Sequence, residues 1–145
     1  MERNDLIKQY IVAKNSIQLK NVTLVESNFK QLANTNNLEH SLGFGYKVEQ
    51  VNNKVYGYLS TSIKSKNEQG EDALTIKVVY KGEYIPNDDS IDLETLIQFA
   101  EIQTVPQLIA YARAHILSTS SQMIQEPVYL PTMDIIESLI KNADH

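Results

Sequence analysis

Apolar and polar side chains alternate along much of the first two-thirds of the chain, and a three- and four-residue spacing replaces that alternation near the end. Leu42, Phe44, Tyr46 and Val48 alternate with Gly43, Gly45, Lys47 and Glu49, the period-two pattern of a half-buried strand. Asn52-Asn53 reads as a tight turn, because asparagine tolerates a positive φ. Val55, Gly57, Leu59, Thr61 and Ile63 then share one strand face, with Tyr56, Tyr58, Ser60, Ser62 and Lys64 on the other. Lys66 to Asp72 is a charged turn around Gly70, followed by a strand carrying Leu74, Ile76, Val78 and Tyr80. Connections this short make the three strands an antiparallel meander. Upstream, Ile7, Gln9, Ile11 and Ala13 fall on one face of a segment that continues to Ile17 and Leu19. That predicts a fourth strand, kinked near Asn15. Residues 21–41 are less regular, with Asn34 to Asn37 as a polar loop.

From Gly82 to Ser90 the chain is expected to leave the sheet, with Pro86 ending the strand and the Asn-Asp-Asp run capping the next element. Ile91, Leu93, Leu96, Ile97 and Phe99 predict a short helix. Pro106 removes a backbone donor and disfavours helix at Val105, so it is read as opening a second helix that runs to about Met123. Leu108, Ile109, Ala112, Ile116 and Met123 form the apolar stripe of that helix. Ala110, Ala114, Ser118 and Ser121 form a second stripe of small residues. Either the helix rests on its own sheet with a thin solvent face, or it is buried on two sides, the second against another subunit. Pro127 to Pro131 is extended. Thr132 caps a last helix bearing Ile135, Ile136, Leu139 and Ile140, with Asp134 and Lys141 at the ends that suit the helix dipole. The expected fold is α+β: a four-stranded antiparallel meander with a long helix and a shorter C-terminal helix on one face, in a single domain spanning residues 1–145.

Composition narrows the function by exclusion. The net charge of −5 argues against non-specific nucleic-acid binding, which needs clustered cations. The chain has no cysteine, which rules out disulfides and thiolate metal sites. Lys8, Gln9 and Lys14 interrupt the first apolar run, so no signal peptide is expected. No window approaches the ~18–20 apolar residues of a membrane span. The expected setting is the cytoplasm, without membrane insertion.

Catalytic groupings are weak. His40, His115 and His145 are scattered and have no metal-ligand spacing. His115 with Glu101 or Arg113 could form an acid–base group, but a packed or solvated helix histidine is the plainer reading. Asp88, Asp89, Asp92 and Glu94 lack the glycine and terminal glutamate of a calcium loop and read as helix capping. Gly43-Phe44-Gly45 is no phosphate loop; two glycines in alternation mark a strand face that something approaches closely. Tyr46 and Tyr80 read as core. Tyr56, Tyr58, Tyr84 and Tyr129 are harder to bury and supply amphipathic contact area. The reading is of a non-enzyme without cofactor or metal.

The segment 108–139 resembles the SecB family of protein-export chaperones. Tyr111-Ala112-Arg113 matches the family's Tyr-Ala-Arg core in a long helix, and Pro127 to Pro131 approximates the extended segment after it. Asp134 to Lys141 matches a short closing helix, and Gly82-Glu83-Tyr84-Ile85 resembles the last strand and its exit. The resemblance implies an ATP-independent holdase for unfolded polypeptides, possible service in export, and a homotetramer built as a dimer of dimers. The small-residue stripe Ala110, Ala114, Ser118 and Ser121 would then face another subunit. It also implies a peptide-binding groove involving Tyr84, Ile85, Leu93, Leu96, Phe99, Tyr129, Ile136 and Leu139, where hydrophobic burial at several sites gives avidity.

Departures weaken the translocase link. Acids on the family's outer sheet face dock a basic tail of the SecA translocation ATPase. One such position aligns with Lys77 and another near Lys20, and lysine repels a basic tail. The family's glutamate after Tyr-Ala-Arg is Ala114 here, and its acidic tail is reduced to Asp144. A chaperone dedicated to one partner, such as an antitoxin, fits these losses. An oligomeric adaptor without chaperone activity, or a small-molecule-binding protein or enzyme on the same scaffold, are the remaining alternatives.

Overall fold

The computed structural model describes residues 2–130. The predicted C-terminal helix, with Ile136 and Leu139, lies outside them. Helix α1 (Arg3–Ser16) leads into strands β1 (Ile17–Gln31), β2 (Glu39–Val51), β3 (Lys54–Lys66) and β4 (Asp72–Pro86), and helix α2 (Leu93–Met123) comes last. The strands form one antiparallel sheet in the order β1-β4-β3-β2. The expected meander is β2-β3-β4, and β1 adds beside β4. The turns fall where Asn52 (φ 57°) and Gly70 (φ 78°) supply the left-handed backbone.

Several expectations fail. The first predicted strand is helix α1. Leu6, Tyr10, Ala13 and Ile17 also recur at helical steps, and burial obeys that spacing: Leu6 and Ala13 are closed off while Ile11 and Val12 are about half exposed. α1 packs on α2, where Gln103 Nε2 donates to the Tyr10 carbonyl at 3.2 Å. The strand instead occupies the stretch read as irregular. Register shifts between Lys20 and Thr23 and between Leu24 and Glu26 change which parity faces inward, which hides the alternation. Asn21, at φ 54°, sits in the first of them.

Gly82 to Pro86 stays in β4 and does not leave the sheet. α2 runs unbroken through Pro106, absorbing the short helix predicted at Ile91 to Phe99. Its start is capped by Asp92, whose carboxylate accepts from Thr95 N–H at 2.8 Å. Burial of Val105, Leu108 and Ile109 on the sheet outweighs the proline's local cost of about 3 kcal/mol.

The sheet's inner face and α2 enclose two adjoining clusters. One gathers Ile17, Val55, Tyr84, Leu96 and Ala100 at the start of α2. The larger one runs from Leu59, Val78, Val105 and Leu108 to Ile116, Ile124 and Leu130. Tyr84, expected to be hard to bury, is 2% exposed, whereas Tyr46, expected in the core, is 38% exposed. Burial pushes the Tyr84 hydroxyl up to about 12, with the neighbouring Thr104 hydroxyl pulling the other way. The folded pKa lies above the unfolded value near 10, so this group's stabilisation is complete below about pH 10 and fades as pH rises towards about 12. Tyr84→Phe should therefore move alkaline unfolding, monitored by circular dichroism, to higher pH. An unchanged midpoint would count against a buried neutral hydroxyl.

Candidate functional site

α2 is narrower than the sheet it covers. Leu96, Ala100, Thr104, Leu108, Ala112, Ile116 and Ser120 are buried, and Thr104 and Leu108 reach the sheet at Gly57 and Gly82. Sheet register shows what this leaves uncovered. Tyr46, Leu59, Tyr80 and Leu24 form one inward row across all four strands. Leu59 is fully buried in its middle, while Tyr46 at the β2 end is 38% exposed and Leu24 at the β1 end is 40% exposed. In the next inward row Thr61 and Val78 are buried and Phe44 is half-buried; in the row after it Ile63 and Ile76 are buried while Leu42 is open. Apolar flanks thus border α2 on both sides.

The β1 flank is aromatic. Tyr80 and Tyr111 rings lie 5.8 Å apart, Phe29 and His115 5.7 Å, and Tyr80 and His115 6.2 Å. His115 Nε2 is 2.8 Å from Ser27 Oγ. Glu101 lies about 20 Å back along the helix, too far for the acid–base pairing considered from sequence. The imidazole serves as a packing ring with one hydroxyl partner. The chain leaving α2 folds back on the helix, with Gln125 and Glu126 beside Thr35 to Asn37. Val128 N–H donates to Ser120 Oγ at 2.8 Å, Val128 and Leu130 are buried, and Tyr129 between them is 69% exposed.

The predicted groove residues separate. Tyr84 and Leu96 are core supports at the start of α2, with Leu93 and Phe99 half-buried against them. Ile85 pairs with Gln18 on the opposite sheet face. Tyr129 stands near Ser120, about 30 Å up the helix from Phe99. Ile136 and Leu139 lie outside the described residues. The stripe Ala110, Ala114, Ser118 and Ser121 is exposed along one side of α2, beside the 44% exposed Tyr111. The β1 flank was missed because Leu24 and Phe29 sit in the bulged strand. The exposed Tyr111 next to small residues was the available signal.

Elsewhere, of the acids expected as caps Asp92 caps α2, and the Asp88 carboxylate closes the turn before it by accepting from Ser90 N–H at 2.8 Å. His40 Nδ1 meets Ser65 Oγ, and burial lowers its pKa. Among the described residues no grouping of His, Cys, Asp and Glu could hold a metal ion, and no helix is long and apolar enough to cross a membrane.

One solved structure overlays on nearly this whole arrangement: a Mycobacterium tuberculosis SecB-like chaperone in complex with a ChAD peptide from the HigA1 antitoxin. The TM-score is 0.72 over 88% of this chain and 97% of that one, at 13% identity. The fold is SecB-like. A protein of unknown function from Streptococcus agalactiae overlays at TM-score 0.43 and 7% identity, over 80% of this chain and 97% of that one, a likeness too slight to carry an argument. No family model and no curated protein matches the sequence. The likeness thus lies in the order of strands and the long helix, at 13% identity. On the outer sheet face Lys77 lies 3.4 Å from Glu26, and Lys20 pairs across strands with Glu83.

Proposed function

We propose that this protein is a non-enzymatic, ATP-independent chaperone that holds unfolded polypeptide on the apolar flanks of α2. The observation that carries the reading is the inward row closed at Leu59 and open at Tyr46 and Leu24. Such flanks offer a long client several modest burial sites, each worth about 25 cal/mol per Å² of apolar surface covered, and linkage among sites raises the total affinity. Tyr129, exposed on the chain leaving α2, adds aromatic contact area. The exposed small-residue stripe at Ala110, Ala114, Ser118 and Ser121 is the proposed contact between subunits of a homo-oligomer, because small side chains let helix backbones approach.

The purified protein should suppress aggregation of an unfolded test protein at stoichiometric amounts without ATP. The Leu42→Ser/Tyr46→Ser variant should suppress less while keeping its melting temperature within a few degrees. Ala114→Arg should shift sedimentation to a smaller species. A wild-type protein without effect on light scattering would remove the chaperone reading.

A second reading, a chaperone dedicated to one partner, is favoured by Lys77 and Lys20 where a basic translocase tail would need acids. The likeness to a chaperone solved with an antitoxin peptide points the same way. An export role has no such support.

A further inference from the structure

The sheet's outer face has no part in the client surface, yet it is built with a particular relief. Gly45, Ser60, Val79 and Glu26 form one transverse row on it, and Gly43, Ser62, Lys77 and Asn28 form the next. Small side chains on β2 and β3 make these two rows a trough. A Cβ at Gly45 would meet nothing within 4 Å, so the floor is open. A depression of about 460 Å³ lies there, with Val25 and Val79 as its apolar part. The adjoining row, Lys47, Tyr58 and Lys81, forms a wall. Its ammonium groups stand over aromatic faces: Lys47 Nζ is 4.8 Å from the Tyr58 ring, and Lys81 Nζ is 4.1 Å from Tyr56 and 5.6 Å from Tyr58. Rings beneath them restrict where these charges sit while leaving them unneutralised. In the trough and its wall stand Lys47, Lys81 and Lys77, the last 3.4 Å from the acid Glu26, and the row on the far side of the wall brings Glu49 and Glu83 with Lys20. Lys30 and Lys64 extend the positive sign in the row beyond the trough. This positive field stands on a chain of net charge −5.

We propose that this outer face docks an acidic polypeptide segment lying across the strands in the trough. Its carboxylates would meet Lys47, Lys77 and Lys81, and its apolar or aromatic side chains would cover Tyr58 and Val79. Charge complementarity selects the partner's sign and speeds encounter. Open glycine and serine positions let its main chain approach the sheet. Polypeptide is favoured over nucleic acid because the chain's overall negative charge opposes a long phosphate backbone, which a single trough does not neutralise. The site opens on the side of the sheet away from α2, and of the residues lining its depression only Tyr46 also belongs to the client surface.

Fluorescence anisotropy with a labelled random glutamate–tyrosine copolymer tests this on the full chain. The copolymer should bind at low salt, release as salt is raised, and bind about tenfold or more weakly to Lys47→Glu/Lys81→Glu. Gly45→Leu, which keeps every charge and fills open space, should weaken binding comparably while its thermal melt stays unchanged. Aggregation suppression by both variants should equal wild type, so failure here is distinguishable from failure of the chaperone reading. The proposal is overturned if a lysine–tyrosine copolymer binds as well, if a single-stranded oligonucleotide binds more tightly, or if neither variant changes binding.

Discussion

Leu108→Ala is expected to cost about 3–4 kcal/mol of folding stability, read as a lower denaturant midpoint at unchanged slope. Leu108 is fully buried near the middle of α2 and belongs to the larger core cluster. It also reaches β4 at a place where the sheet has been hollowed for it. A Cβ on Gly82 would stand 3.4 Å from Leu108 Cδ2 and would overlap Leu19 Cδ1, so Leu108 and Leu19 together fill the space above that glycine. Truncating Leu108 leaves a void that neither a backbone glycine nor a side chain held on β1 can close, which places the cost well above simple transfer of the lost methyl groups. A loss below about 1 kcal/mol would mean that α2 resettles freely on the sheet, against the close packing of this cluster.

Gly57→Ala should be nearly as damaging, by the opposite mechanism. The new Cβ would overlap Thr104 Oγ1 and lie 2.8 Å from Tyr84 Cε2. Both neighbours are buried, and Thr104 Oγ1 is held by a 2.7 Å hydrogen bond to the Ala100 carbonyl. Relief requires α2 to lift or Tyr84 to leave its rotamer, and overpacking of this kind costs about 3 kcal/mol. The decisive comparison is a double-mutant cycle. Thr104→Ala removes the atoms in closest conflict, so Gly57→Ala should cost appreciably less in that background. Equal cost in both backgrounds would show that the glycine is needed for something other than the approach of the helix.

Both predictions concern contacts between elements, the part of the structure that sequence reading reached least well. β2, β3 and β4 were legible because period-two alternation is unbroken in them and their turns carry Asn52 and Gly70. α1 was not, because Ile7, Ile11 and Ala13 satisfy a strand period while Leu6, Tyr10, Ala13 and Ile17 satisfy a helical one. Only packing on α2 decides between them. β1 was hidden by its two register shifts. Pro106 gave a correct local signal that tertiary burial overrode. The candidate surface was legible in kind but not in place. Apolar and aromatic contact area was expected, yet Tyr84 and Leu96 went into the core, and the open positions Leu24, Tyr46 and Tyr111 depend on how far α2 is narrower than four strands. The small-residue stripe was readable because helical spacing alone puts Ala110, Ala114, Ser118 and Ser121 on one side.

The unbroken course of α2 through Pro106 bears on how the molecule opens. Proline has no N–H, so the carbonyl of Ile102 loses its helical donor at that turn. The gap falls at the seam between the two core clusters: Leu96 and Ala100 belong to one, Val105 and Leu108 to the other. Cooperative opening units tend to track such breaks in packing and hydrogen bonding. α1, the start of α2 and the end of β4 can therefore loosen as one unit while the rest of α2 remains seated on the sheet. A continuous helix of 31 residues thus spans the boundary between two packing units.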